Sequence, residues 1–127
     1  MRHSRHYTVE QANATLGWVT ERIQRVRAAH QALRELGQGA SAVIRALDPQ
    51  LGGCYPSREV ARPLVTLSLA LTELERVDIV LRDLERGLVD FPALRGGDEV
   101  YLCWLVGEPD VGFWHALDAG FVGRQPL

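Results

Sequence analysis

The chain has 127 residues, enough for one domain with a single modest core. Its composition is 46% hydrophobic and 24% charged, which is ordinary for a globular protein and excludes a disordered one. The formal charge is −2, with arginine at every Lys/Arg position, so the basic excess typical of nucleic-acid binding is absent and we expect no nucleic-acid partner.

No window of the sequence reaches the roughly 18 apolar residues that a membrane span requires. The opening residues, "MRHSRHY", lack the apolar core of a secretory signal. Cys54 and Cys103 form neither a metal-binding spacing nor a disulfide framework, although a single bridge between them stays open. We therefore expect a cytoplasmic protein with reduced thiols and no membrane association.

Residues 1–6 are predicted to be a frayed terminus. His3 and His6 are three positions apart, a spacing that would place two ligands on one face of a helix. Their position at the end of the chain favours a solvated segment over a metal site.

A long first helix is predicted over residues 8–37. Thr8 and Gln11 have the spacing of a capping box, and Gly37 suits a C-terminal cap. Apolar residues recur mostly at intervals of three and four positions, at Val9, Ala12, Leu16, Val19, Ile23, Val26 and Leu33. Such a helix spans roughly 40 Å. It needs a partner helix from its own chain or from another, so we expect a homodimer through the helices. His30 falls on this seam and is interpreted as a core or edge residue.

Residues 38–62 are rich in glycine and proline and are predicted to be a connector, with a short helix over about Ser41–Leu47. Pro63 suits the first turn of a second helix over residues 63–76. This helix has its own apolar seam at Leu64, Leu67, Leu71 and Leu74. The two helices are expected to form an antiparallel pair.

Residues 77–86 allow two interpretations. Three β-branched residues follow Arg76 within four positions, which favours a strand. Alternatively, the helix continues to Arg86 and is capped at Gly87.

Residues 77–106 are predicted to form a β-meander. "GLVDFP" indicates a short strand limited by Pro92, and Gly96-Gly97 indicates a turn. "VYLCWLV" is apolar at every position, which predicts a strand that is covered on both faces. Residues 107–127 are expected to be an irregular C-terminal tail. The predicted fold class is α+β: a single domain in which a long antiparallel helix pair packs on a small antiparallel sheet of two or three strands.

Four segments of the chain carry a resemblance to a known family. They are "TVEQANATL", "RDLERGLVDFP", "YLCWLVGEP" and "WHALDAGFVGRQPL", which together span nearly the whole chain. The chain resembles a bacterial family catalogued as domain of unknown function 2203. The resemblance implies a strand at about residues 78–84, although Arg76 stands near where such proteins have a helix-ending glycine. It implies no established activity, and so brings no mechanism.

Polar residues in the matched segments are the candidates for a site. They are Asp83, Asp90, Glu108, His115, Asp118 and Arg124. Most of them lie beside apolar residues, and a buried carboxylate needs a partner because burying an unpaired charge costs several kcal/mol.

Three kinds of partner are open. A divalent transition metal (Zn, Mn or Fe) would be held by Glu108, His115 and Asp118, with Asp90 as a fourth ligand. His115 and Asp118 are three apart, so a single helical turn would point both in one direction. Alternatively, Arg124 forms a structural ion pair with Asp90 or Glu108, or turn amides satisfy the carboxylates.

Cys103 is interpreted as an inert core thiol, because it stands between apolar residues in mid-strand. The aromatic residues near the C-terminus are interpreted as a lid on the core, with a stacking or partner-binding platform as the alternative. They are Trp104, Phe113, Trp114 and Phe121.

Two functions follow from these patterns. The first is a small metal- or ligand-binding protein with a His/carboxylate site in the C-terminal segment. The alternative is a non-catalytic oligomerisation or protein-interaction module built on the helix pair. An enzyme is a third interpretation, which requires an open pocket around His115.

Overall fold

The computed structural model describes residues 1–37 and 58–127. Within these ranges, two helices pack on one face of a five-stranded antiparallel sheet. The helices are α1 (Val9–Glu35) and α2 (Arg58–Arg76). The strands lie side by side in chain order: β1 (Val80–Asp83), β2 (Leu88–Arg95), β3 (Asp98–Leu105), β4 (Phe113–Ala116) and β5 (Gln125–Pro126). The predicted α+β class is confirmed, but the predicted count of two or three strands is wrong.

Helix α1 begins and ends with the caps that the sequence predicts. The Thr8 hydroxyl accepts from the Gln11 amide, and the Gln11 side chain accepts from the Thr8 amide. Gly37 follows the helix with φ 76°, a left-handed conformation that favours glycine. The capping box therefore fixes the start of the helix and the glycine marks its end.

The partner helix for α1 comes from the same chain. One small cluster of buried side chains joins the two helices: Val26, Ala29, Leu67 and Ala70. Arg22 Nε donates to Glu73 Oε2 at 2.7 Å, one turn earlier along α1 and one turn later along α2. Because positions rise along α1 as they fall along α2, the helices are antiparallel and form a hairpin.

Helix α2 starts earlier than the sequence predicts. It begins at Arg58 instead of residue 63, so Pro63 lies inside it and the predicted connector of 38–62 is too long. Proline removes only the hydrogen bond to the Glu59 carbonyl, and Glu59 is exposed in the first turn, where water can replace it. The predicted short helix over Ser41–Leu47 lies outside the described residues.

The helix ends at Arg76, and residues 77–86 include strand β1, not a longer helix. Asp78 has φ 61°, the left-handed conformation that commonly follows a helix. The Ile79 amide donates to the Leu74 carbonyl at 3.0 Å and the Asp78 amide to the Glu75 carbonyl at 3.0 Å. Asp78 thus takes the place of the missing glycine.

Strand β3 is buried on both faces, as its apolar sequence predicts. Alternate residues of β2 and β3 face the helices and form the core with α1 and Tyr7: Val89, Phe91, Ala93, Val100, Leu102 and Trp104. Tyr101 and Cys103 point to the opposite face and are buried there as well. The sheet therefore has a second covered face, away from the helices.

The C-terminal segment is not the irregular tail that the sequence predicts. Strand β4 adds to β3, with His115 opposite Tyr101, and β5 adds to β4, with Gln125 opposite Trp114. The strands have only four and two residues, too few for a two-residue period to be recognised. They form because the free edges of β3 and then β4 provide hydrogen-bonding partners, a tertiary effect that outweighs local preference.

No helix in the described ranges is both long and apolar enough to cross a membrane.

Substitution of Gly87 measures how closely the β1–β2 turn packs on the sheet. Gly87 has φ 72°, and an added Cβ would lie 2.6 Å from Val106 Cγ2. Gly96 has φ 60° but nothing within 4 Å of the same position. Gly96→Ala should reduce the free energy of unfolding by about 1–2 kcal/mol through backbone strain alone. Gly87→Ala should cost roughly 2–4 kcal/mol, because a clash is added. Urea unfolding measures both, and equal losses would contradict the close packing.

Candidate functional site

Three polar side chains meet on the face of the sheet away from the helices. Asp90 on β2 lies opposite Cys103 on β3, and His115 on β4 lies diagonally across from them. Asp90 and His115 are each 1% exposed and Cys103 is 0% exposed. One potential ligand atom from each lies within 4.8 Å of the others. We refer to Asp90, Cys103 and His115 as the buried cluster.

The hydrogen bonds of His115 determine what its ring can do. Its Nδ1 lies 2.7 Å from the Ala116 carbonyl oxygen, which only accepts, so Nδ1 carries a hydrogen. Its Nε2 lies 3.0 Å from Asp90 Oδ1, while Asp90 Oδ2 accepts from Arg82 Nε at 2.8 Å. A neutral ring would therefore direct a lone pair at a carboxylate. The contact therefore requires a proton between the two atoms, on the ring or on the carboxyl group, or a metal ion.

Cys103 is a free, buried thiol. Burial, together with the nearby Asp90 carboxylate, raises its pKa to about 12. The thiol is therefore neutral at ordinary pH and is not an activated nucleophile. His115 cannot act as its base, because both ring nitrogens are already engaged. In the described part of the chain His115 is 1% exposed, whereas the enzyme interpretation requires an open pocket around it.

Arg82 lies over the buried cluster on its solvent side. Its side chain is 39% exposed, whereas the Asp90 side chain that it contacts is 1% exposed. The guanidinium stands 4.8 Å from the centre of the Tyr101 ring, and that ring lies 5.5 Å from the His115 ring. Asp90 thus has a cation on each side when His115 is protonated.

The structure brings together two of the four residues predicted to hold a metal, Asp90 and His115. Glu108 lies elsewhere: its carboxylate accepts two hydrogen bonds from Arg124, at 2.9 and 2.8 Å, and one from the Leu105 amide at 2.7 Å. The Asp118 side chain is 94% exposed, and its Oδ1 lies 3.5 Å from Arg2 Nη2. The predicted helical turn that would join His115 to Asp118 does not form, because His115 belongs to strand β4.

Arg124 is held firmly by its surroundings. Its guanidinium pairs with Glu108 and stacks on Phe113 at 3.8 Å and on Phe121 at 4.8 Å. Of the candidate carboxylates in the sequence, Asp83 only accepts from the Arg86 amide within the β1–β2 turn. Asp83 therefore stabilises the β1–β2 turn, and Arg124 stabilises the C-terminal segment.

Sequence reasoning missed two members of the site. The sequence predicts an inert core thiol at Cys103 because its neighbours in sequence are apolar, but across the sheet it lies opposite the Asp90 carboxylate. Arg82 is not among the candidate site residues that the sequence indicates. Had the register of β2 against β3 been known, the pairing of Asp90 with Cys103 would have identified this face.

The N-terminal segment, residues 1–7, is docked on the sheet and is not the frayed terminus that the sequence predicts. The amides of Arg2 and His3 donate to the Glu99 carboxylate at 2.7 and 3.1 Å, and His6 Nε2 lies 2.7 Å from Glu99 Oε2. His3 Nε2 lies 2.6 Å from the Tyr101 hydroxyl. The two histidines contact different partners and form no common site.

The Glu99 carboxylate gives a stability prediction with a defined pH dependence. The hydrogen bond from His6, followed by those from the Arg2 and His3 amides, lowers the pKa of Glu99 from 4.5 to about 2. A lowered folded-state pKa stabilises the protein above the unfolded value and loses this contribution as pH falls towards about 2. Glu99→Gln should therefore be less stable than wild type at neutral pH.

The difference should shrink as the pH falls from 4.5 to about 2. Thermal unfolding of both proteins across this range measures it. Asp98→Asn, a neighbouring change at an exposed position, serves as the control. A gap between Glu99→Gln and wild type that stays constant with pH would contradict the assignment.

A family model described as "Uncharacterized conserved protein (DUF2203)" matches residues 5–127 of the chain. The match includes the whole buried cluster and Arg82. No curated protein and no solved structure matches the chain.

Proposed function

Since the chain belongs to the DUF2203 family of uncharacterized conserved proteins, we propose from the site alone that it binds a divalent transition-metal ion through Asp90, Cys103 and His115. One carboxylate, one sulfur and one imidazole form a donor set that suits zinc better than magnesium or calcium, which prefer oxygen ligands. Water would complete a four-coordinate shell.

The observation that carries this proposal is the orientation of the His115 ring. Histidines that bind metals usually donate their other ring N–H to a carboxylate or backbone carbonyl, and here Nδ1 is held by the Ala116 carbonyl. This leaves Nε2 directed at Asp90 Oδ1, 3.0 Å away, with the sulfur of Cys103 in the same cluster. An ion between these atoms would supply the positive charge that the contact requires.

The charge balance of the site favours a divalent ion. Such an ion would replace the proton shared by His115 and Asp90 and the thiol proton of Cys103. Two positive charges enter and two leave, so the net charge of the buried cluster and Arg82 stays the same. Burying additional net charge is costly, and this exchange avoids it.

Cobalt is a suitable probe for the site because its spectrum reports both the geometry and the ligands. Protein prepared without a histidine tag should bind one Co²⁺ with a thiolate charge-transfer band and strong tetrahedral d–d absorption, and Zn²⁺ should displace it. Cys103→Ser, His115→Ala and Asp90→Asn should each weaken binding by roughly 100-fold or more, since each removes a ligand. The charge-transfer band should be absent from Cys103→Ser.

Asp118→Asn is the matched control, because it removes an exposed carboxylate outside the cluster and should leave binding unchanged. The affinity should also rise about tenfold per pH unit or more, since binding displaces the thiol proton of a group whose pKa is raised to about 12. Folded protein that shows no cobalt spectrum would contradict the proposal, as would equal losses in Asp118→Asn and the cluster variants.

A second candidate function is self-association through α2. The α1 seam that suggested a homodimer is covered by its own chain, with Val19 and Ile23 each 0% exposed. By contrast, Val65 and Leu69 of α2 are 57% and 59% exposed and lie one helical turn apart. A dimer contact on this outer face of α2 would bury apolar surface that the monomer leaves in water.

Leu69→Glu tests this candidate. If α2 forms the contact, wild type should sediment as a dimer at tens of micromolar and Leu69→Glu as a folded monomer, because the charge would be buried in the interface. Leu94→Glu is the control, since Leu94 is 51% exposed but lies on β2. A monomeric wild type, or equal dissociation by both variants, would rule this candidate out. Charged residues at Leu16 or Ile23 would not serve, because both pack in the core.

A further inference from the structure

We propose that the Arg82 side chain controls access to the buried cluster. The inference rests on the proposed function only for the identity of the species that enters the site, a metal ion. Access itself is a property of the chain that can be measured without a metal.

Arg82 occupies the place between the cluster and solvent. Its Nε donates to Asp90 Oδ2 at 2.8 Å, while its own side chain is 39% exposed. Its guanidinium also covers the Tyr101 ring, which is 1% exposed. An ion that approaches Asp90 from the Arg82 side must displace this side chain.

The backbone at Arg82 is suited to such a movement. Strand β1 is at the edge of the sheet, and its register against β2 shifts between Leu81 and Asp83, which leaves Arg82 without a paired residue. An unpaired residue of this kind is a β-bulge, which redirects its side chain and interrupts the ladder of hydrogen bonds. Short, interrupted edge strands open locally at a lower free energy than the centre of a sheet.

The other arginine of this face is held more tightly. Arg124 is 11% exposed and combines two hydrogen bonds to Glu108 with stacking on two rings. Arg82 has one carboxylate partner and one ring. Of the two, Arg82 therefore requires the smaller loss of contacts to move.

The test measures how fast a small neutral alkylating reagent modifies Cys103 in the metal-free, native protein, quantified on the Cys103 peptide by mass spectrometry. Arg82→Ala should raise the rate by roughly tenfold, because it removes a charge-assisted hydrogen bond that keeps the site closed. Arg82→Gln, which keeps an amide donor without the charge, should give a smaller increase. It also serves as the second variant if Arg82→Ala does not fold.

Arg22→Ala is the matched control. Arg22 makes the same two kinds of contact as Arg82, a hydrogen bond from Nε to Glu73 Oε2 at 2.7 Å and stacking on Trp18 at 4.2 Å. It joins the two helices and does not contact the buried cluster. Its replacement reports the effect of general destabilisation on the alkylation of Cys103.

An alkylation rate in Arg82→Ala equal to that of wild type or of Arg22→Ala would overturn the inference. Stopped-flow mixing with Co²⁺ separates it from the proposed function. Faster alkylation in Arg82→Ala with no cobalt binding by any variant would support the access role and contradict the metal site. Cobalt binding with unchanged alkylation would support the metal site and overturn the access role.

Discussion

The buried carboxylate of Asp90 is the group on which the second face of the sheet depends. At 1% exposure an ionised carboxylate is stable only if both oxygens have partners, and here Arg82 and His115 provide them. These partners come from β1 and β4, the strands on either side of the β2–β3 pair. Satisfying one side chain therefore constrains where two further strands must lie.

The same constraint explains why a short C-terminal segment is ordered. Strand β4 has four residues and little intrinsic preference for its position, but His115 must reach Asp90 while the β4 backbone pairs with β3. Beyond β4, the stacking of Arg124 on Phe113 and its pairing with Glu108 hold the last turn against the strand. Among the described residues, this face is therefore covered by charged and aromatic groups.

The predictable parts of the fold are those that depend on local sequence. Each of three features is encoded by residues that are close together in the sequence, and each is found in the structure. They are the Thr8–Gln11 capping box, the α1 seam and the apolar strand β3. Strands β4 and β5, the early start of α2 and the docked N-terminal segment depend on partners that are distant in sequence. Periodicity carries no information about such partners.

The same distinction between local sequence and distant partners applies to the candidate site. Asp90 and His115 were identified because polar residues next to apolar ones are conspicuous in a sequence. Cys103 was not, because a thiol in an apolar run looks like any small core residue. Only the register of β2 against β3 places it beside a carboxylate. Asp118 was grouped with His115 on the assumption of a helical turn, but His115 belongs to strand β4.

The sulfur is also the atom that separates a metal site from a purely structural network. Arg82, Asp90 and a protonated His115 satisfy one another's hydrogen bonds without help from Cys103. A hydroxyl at that position would donate to the carboxylate at least as well, and an apolar side chain would fill the space. A thiol beside the carboxylate keeps its proton because its pKa is raised, and a metal ion that binds the sulfur would displace this proton to solvent. The sulfur is thus the atom whose replacement best distinguishes the proposed metal site from a purely structural network.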